Sequence, residues 1–350
     1  MDAIQFDPLK KTLTLIKTDV PSKIRANEVL VKVAYAGVCG TDLHIIEGKF
    51  PCCNNLLILG HEISGIASSV GIDVKHIKKG DRVVIDPNRG CYVCSCCTSG
   101  SYHLCDTEAI NTMVGIFQNG GWAQYCKVPA NQVYKIPDSI TLKQGVLIEP
   151  LSCLVHGWER VAPIEIGSNI LVTGAGIIGN LWSSVLHHSG HRSVTVSEPI
   201  VARRGYNQKL ETGYKCVAPE DIKKMKVSDP DFGFDICIDC SGDGPAIEEA
   251  ITLLNAGGKI CIFGITSPEV KISVSPFDMY KKESTILATK INKFGVLKAL
   301  KLSEAMGKRY LDYERLGVEV YSLQDHKEAL ASLKQGNISK VVFQIAPELE

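Results

Sequence analysis

The 350-residue sequence has no surplus of charge of either sign, because 38 lysines and arginines are matched by 38 aspartates and glutamates. A nucleic-acid partner, which calls for a basic face, is therefore not expected, nor is a disordered acidic tail. Long apolar runs are also missing: stretches such as Gly145 to Ile148 are far too short to cross a bilayer. The opening residues lack an apolar core followed by a small-residue cleavage site, so no export signal and a cytoplasmic location are expected. No internal repeat or low-complexity tract is visible. What remains is 45% hydrophobic and 22% charged, as in an ordinary globular enzyme, and long enough that two domains are expected.

Fourteen cysteines are present, and without an export signal they do not read as a disulfide scaffold. Cys126, Cys216, Cys237 and Cys261 sit in apolar or strand-like stretches and are expected to be buried, reduced core residues. Cys91, Cys94, Cys97 and Cys105 are different, because the spacing C-x2-C-x2-C-x7-C can enclose a tetrahedral zinc ion. Four sulfur ligands leave no open position for chemistry, so the expected role is structural, folding a lobe over about residues 88–106. Cys96 offers a fifth thiol; the even two-residue gaps favour Cys97, with Cys96 as a substitute. An iron–sulfur cluster or a redox-sensing role competes with zinc here.

The rest of the chain changes character along its length. Residues 28–35, 65–70 and 81–85 read as short strands between glycine-containing turns, which suggests a barrel-like antiparallel domain. After Glu149 and Pro150 a helix over 151–161 is followed by strands at 168–173, 193–197, 234–239 and 259–263. Helix-length segments lie between them, including one at 177–189. That alternation predicts βαβ units and a parallel sheet. Beyond Asn292 one more helical stretch precedes strands at 318–321 and 340–345.

Between the strand ending at Thr173 and the next helix lies Gly174-Ala-Gly176-Ile177-Ile178-Gly179. Gly174 allows a tight turn, Gly176 lets backbone approach a pyrophosphate, and Gly179 permits close helix–strand packing. Glu198 follows 19 residues later at the end of the next strand, where an acid accepts hydrogen bonds from the adenosine ribose. A carboxylate there repels a 2′-phosphate, so NAD is favoured over NADP. Arg203 and Arg204 are the complication, since a nearby arginine can accommodate that phosphate.

Two further segments carry metal chemistry: Gly37-Val-Cys39-Gly-Thr41-Asp-Leu-His44 and Gly60-His61-Glu62. A hydride-transferring zinc site needs about three protein ligands and one open position for an alcohol oxygen. Zinc there lowers the alcohol's pKa, and hydride passes to the nicotinamide. Cys39 and His61 suit that task.

With these motifs, Gly120-Gly121-Trp122-Ala-Gln-Tyr125 and Glu149-Pro150, the whole chain resembles the zinc-containing medium-chain alcohol dehydrogenases, in the polyol (sorbitol and arabinitol) branch. The resemblance implies an α/β protein. Its GroES-like catalytic domain would comprise residues 1–153 and 291–350, with a Rossmann NAD-binding domain at 154–290. It implies Cys39 and His61 as zinc ligands, Glu62 as the third, and Glu149 as a glutamate that approaches the metal directly or through water. Thr41 matches a hydroxyl that bonds the substrate oxygen, and His44 a residue that passes the released proton outward. Lys340 falls where a basic residue can contact the pyrophosphate. The cofactors implied are one catalytic zinc, one structural zinc and NAD, and a homodimer or homotetramer is expected.

Ile45 and Ile46 stand where sorbitol dehydrogenases place a substrate-contacting tyrosine, which points away from sorbitol itself. Cys52 and Cys53, near the expected pocket rim, are unusual and could confer sensitivity to oxidation. The leading expectation is reversible oxidation of a polyol or other secondary alcohol to a ketone. Alternatives are an NADP-linked ketose or carbonyl reductase, a zinc-free quinone or enoyl reductase, and a non-catalytic zinc or dinucleotide-binding protein.

Overall fold

The computed structural model describes residues 1–105, 107 and 112–349, so the last residue of the expected cysteine lobe and the last of the chain lie outside the described residues. Two large sheets organise it. The first is assembled from both chain ends, in the spatial order Val318–Tyr321, Lys340–Gln344, Glu28–Gly37, Ile63–Val70, Arg82–Ile85 and Val133–Lys135. Tyr125–Pro129 also pairs with Glu28–Gly37, and every pairing except the one between Val318–Tyr321 and Lys340–Gln344 is antiparallel. Glu28–Gly37 is the spine of this sheet because Val29, Val31 and Val33 are β-branched and fully buried. They pack with Ile63, Trp122, Val341 and Phe343 in one core. A smaller antiparallel sheet, Thr12–Lys17, Asp2–Asp7 and Leu57–Ile58, lies beside it; the hairpin at its start turns at Asp7-Pro8, where Asp7 Oδ1 accepts from the Leu9 and Lys10 amides.

The second sheet is parallel throughout, in the order Lys215–Val217, Val194–Ser197, Ile170–Thr173, Phe234–Asp239, Leu254–Ile262 and Thr285–Ala288. Its central strand is buried in every position and opens with Ile170, Leu171 and Val172, as a strand covered on both faces should. That strand's sequence neighbour, Val194–Ser197, lies on one side, and Phe234–Asp239 lies on the other. Strand order therefore reverses at Ile170–Thr173, and a ligand crevice is expected at its carboxyl end. The turn at Gly174 stands at that end. The architecture is the GroES-like plus Rossmann-type arrangement that the resemblance implies.

The helix Ile148–Val161 carries Glu149 into the interior and packs against the helical stretch Val296–Tyr310. Among the described residues no helix is long and apolar enough to cross a membrane. Cys126, Cys237 and Cys261 are buried, and Cys216 is half-buried.

Candidate active site and metal centres

Cys39 ends the spine strand's extension and caps the short helix Gly40–Ile46. Asp42, three residues on, returns its Oδ2 to the Cys39 amide at 2.8 Å, so the ligand loop and the helix start fix each other. The same carboxylate presents Oδ1 at 3.5 Å from His61 Nδ1. An acidic partner on one ring nitrogen sets the tautomer and leaves the other nitrogen for a ligand. Asp42 is therefore a functional residue the sequence reading passed over, although its spacing from Cys39 is that of a capping box.

The Gly60-His61 turn is held by glycines. Gly60 has φ +91°, and a Cβ on it would overlap Trp122. Gly120 packs directly on the Gly60 carbonyl, so that a Cβ there would overlap it, and Trp122 Nε1 donates to Gly37 O at 3.1 Å. The Gly120-Gly121-Trp122 motif is thus the buttress that places His61. Gly37 is required for a similar reason, because a Cβ there would overlap the Glu62 carboxylate.

The outcome is a cluster of half-buried Cys39 with buried His61 and Glu62, in which one donor atom from each lies within 4.8 Å of the others. Burial disfavours a charged imidazole, yet Asp42 and Cys39 outweigh it and raise the His61 pKa well above its ordinary value. His61 Nδ1 and Asp42 Oδ1 both lack a full hydrogen bond. A thiol, an imidazole and a carboxylate gathered around one point, incompletely hydrogen-bonded, fit a zinc ion.

Glu62 also pairs with the ammonium of Lys340, which is 1% exposed and donates to Val38 O at 3.2 Å. Burial opposes the Lys340 charge, and Glu62 with Cys39 beyond it more than compensates, raising its pKa. The structure thus places Lys340 against Glu62 and the Val38 carbonyl, a contact that 278 residues of separation hid from sequence reasoning. Glu149 lies next to the cluster but outside its three donors. Burial raises its carboxyl to about 7, with His61 opposing and Glu62 reinforcing the shift. One helical turn on, Cys153 donates its thiol to Glu149 Oε1 at 3.6 Å. Thr41 is buried with Oγ1 at 3.7 Å from Cys39 Sγ, and His44 is half-buried on the same short helix.

The four-cysteine lobe is built differently. Cys91, Cys94, Cys97 and Cys105 bring four sulfurs within 4.8 Å of one another, with Cys96 outside the set. Backbone amides point at the sulfurs: Cys94 N to Cys91 Sγ at 3.3 Å and Cys97 N to Cys94 Sγ at 3.5 Å. Such amides stabilise thiolates, and an all-sulfur tetrad fits a structural zinc ion.

At the glycine turn, Gly174 has φ +91° and Gly176 starts the helix Ile177–His188. A Cβ on Gly176 would meet open space, whereas one on Gly179 would overlap the Gly174 carbonyl. The three glycines therefore serve a turn, an open approach and a close helix–strand contact. Ile177 and Ile178 open the helix beside them. Glu198 is buried and accepts from Ala175 N at 2.7 Å and Ile200 N at 2.8 Å, which fixes its carboxylate against the turn. Arg203 donates to Gly336 O at 3.1 Å, and Arg204 to Glu198 O at 2.6 Å and Pro199 O at 2.8 Å. Both guanidinium groups are thus engaged by backbone carbonyls.

Comparison with known proteins agrees with this layout. Residues 25–138 match the alcohol dehydrogenase GroES-like domain, and residues 178–304 match the zinc-binding dehydrogenase family. D-arabinitol dehydrogenase 1 of Uromyces fabae is 30% identical over 97% of this chain and 96% of its own. L-threonine 3-dehydrogenase of Pyrococcus abyssi is 32% identical over 95% of this chain and 94% of its own. Among solved structures, a zinc-binding dehydrogenase from Sinorhizobium meliloti bound to NADP superposes with a TM-score of 0.88 at 28% identity, covering 98% of both chains.

Proposed function

The chain belongs to the zinc-binding alcohol dehydrogenase family, and from that premise we propose that it oxidises a polyol or other secondary alcohol reversibly to a ketone, with NAD as hydride acceptor. The observation that carries this reading is the Cys39, His61 and Glu62 cluster, which brings a thiol, an imidazole and a carboxylate together around one point. These three residues would hold the catalytic zinc, with Glu149 beside them. Zinc in that pocket supplies Lewis acidity that lowers the pKa of an alcohol.

The protein's own groups do the remaining work. Asp42 orients His61, and Lys340 balances the Glu62 charge. Thr41 is positioned to take the hydrogen bond of the substrate hydroxyl, and half-buried His44 offers a route for the proton toward solvent. Cys91, Cys94, Cys97 and Cys105 would hold a structural zinc. Gly174, Gly176 and Gly179 would receive the pyrophosphate on the helix amides, and Glu198 the adenosine ribose. A 2′-phosphate would meet the Glu198 carboxylate, while Arg203 and Arg204 are already engaged, which favours NAD over NADP. We place the division of the chain at 1–153 with 291–350 for the catalytic domain and 154–290 for the cofactor domain. A homodimer or homotetramer in the cytoplasm completes the reading, with Thr285–Ala288 as a free sheet edge and Phe277 and Tyr280 exposed nearby.

A second substrate reading follows from the Pyrococcus relative: a β-hydroxy amino acid such as L-threonine is itself a secondary alcohol. Initial rates with D-arabinitol, L-threonine and 2-butanol, each with NAD and NADP, separate the cases. A preference for D-arabinitol with NAD supports the polyol reading. L-threonine as the best substrate would replace the substrate and keep the chemistry, and no turnover of any secondary alcohol would refute the proposal.

A further inference from the structure

A second buried polar cluster is centred on Asp86, and none of its residues enters the reaction described above. Asp86, just past the strand Arg82–Ile85, is 4% exposed. Its Oδ1 accepts from Asn88 N at 3.0 Å and from Asn292 Nδ2 at 2.9 Å, and its Oδ2 stands 3.2 Å from Tyr102 Oη. Tyr102 Oη is also 2.8 Å from Asn292 Oδ1, so its one proton serves two acceptors. Gln132 Nε2 holds the Asp86 carbonyl at 2.9 Å. A carboxylate is buried at such cost only where its position is needed, and three separate segments meet on this one.

The segments have different jobs. Tyr102 belongs to the cysteine lobe, three residues before Cys105. Asn292 belongs to the crossing from the parallel sheet's edge strand to the helical stretch Val296–Tyr310. That crossing is strained: Ile291 and Phe294 have φ of +42° and +52°, which non-glycine residues rarely adopt. Tertiary contacts hold it there. His156 Nδ1 is 2.8 Å from Ile291 O, the Tyr102 and Phe294 rings are 4.6 Å apart, and a Cβ on Gly295 would overlap Ser152 O. Ser152 and His156 lie on the helix that carries Glu149, and His103 of the lobe stacks edge-on against His156 at 4.7 Å.

We propose that Asp86, Tyr102 and Asn292 form a latch through which the cysteine lobe positions the strained 291–295 crossing, and with it both the cofactor lobe and the Glu149 helix. On this account the lobe is a strut on the cofactor cleft as well as a stabilising insert. These are positioning residues, since none touches the proposed ligand sites. The proposal rests on the function inferred above for the sense of "cofactor cleft", but its test does not depend on turnover.

Tyr102→Phe removes the shared proton while keeping the ring on Phe294. The expected result is full zinc content, NADH binding weakened by about fivefold or more on fluorescence titration, and faster hydrogen exchange confined to peptides covering 148–156 and 289–296. Cys105→Ser, which opens the lobe, is expected to weaken NADH binding as well, and the double variant to be no weaker than Cys105→Ser alone. Native NADH affinity in Tyr102→Phe, exchange raised evenly over the whole chain, or additive losses in the double variant would each overturn the latch. Should Cys105→Ser fail to fold, the Tyr102→Phe titration and exchange map still decide. A wild-type chain that does not bind NADH would sink the proposed function, while the exchange map would still judge the latch.

Discussion

The two thiol-bearing clusters of this molecule make opposite use of cysteine. In the lobe, four sulfurs come from a 15-residue stretch, three of them on half-buried residues, and are supported by neighbouring amides. In the pocket, one cysteine is joined by a histidine and a glutamate from a distant turn, and the set is flanked by Asp42 from the cysteine's own short helix and by Lys340 from a strand far along the chain. A uniform, local sulfur set saturates a metal and can only hold structure. A mixed set, built into the core by long-range packing, leaves a coordination position free and tunes it with Asp42 and Lys340. Closing a site is a local task, whereas keeping one open requires the whole fold.

That contrast predicts its own failures. Cys39→Ser should remove the pocket's zinc and lower kcat by about a thousandfold, on the order of the several kcal/mol a Lewis acid supplies, with the melting temperature nearly unchanged. Steady-state kinetics and a thermal scan check both halves. Lys340→Met leaves Glu62 buried without its counter-ion, which should cost the metal-free chain about 3 kcal/mol. The zinc-loaded chain should lose less, because zinc then balances the charge, so denaturant melts with and without zinc should diverge.

Cys94→Ser reverses the first pattern. It should lower stability by about 2 kcal/mol, or roughly 5 °C, with the pocket's zinc retained, as metal analysis alongside calorimetry would show. Asp42→Asn is the mildest test: it keeps all ligands, yet should weaken zinc binding about tenfold, read by chelator competition. If it did not, the orienting role given to Asp42 would be wrong.

The same contrast explains what the sequence disclosed. The lobe was legible because its ligands are close together, and Cys97 was preferred over Cys96 on spacing alone, as the sulfur tetrad has it. The glycine turn was legible because a strand, three glycines and an acid 19 residues later are one local unit. The inner strands of both sheets follow from apolar patterning, while Tyr125–Pro129, Val133–Lys135, Lys215–Val217, Thr285–Ala288 and the Asp2–Asp7 and Thr12–Lys17 hairpin do not, because they are short or only partly buried. In the pocket, Cys39 and His61 are suggested by their donor chemistry beside the dinucleotide site, and Glu62 by family likeness alone. The Lys340 contact with Glu62 and the Cys153 contact with Glu149 needed coordinates, since no local pattern encodes a pair formed across the core.

The central claim is that one chain holds two zinc ions with separate duties, and zinc counted against activity during stepwise chelation tests it most directly. The account predicts two zinc ions per chain at the start. It predicts that turnover disappears with the loss of one while the fold persists, and that the melting temperature falls only with the loss of the second. A chain that holds no zinc in the Cys39 pocket, or that keeps its activity after that ion is gone, would contradict it.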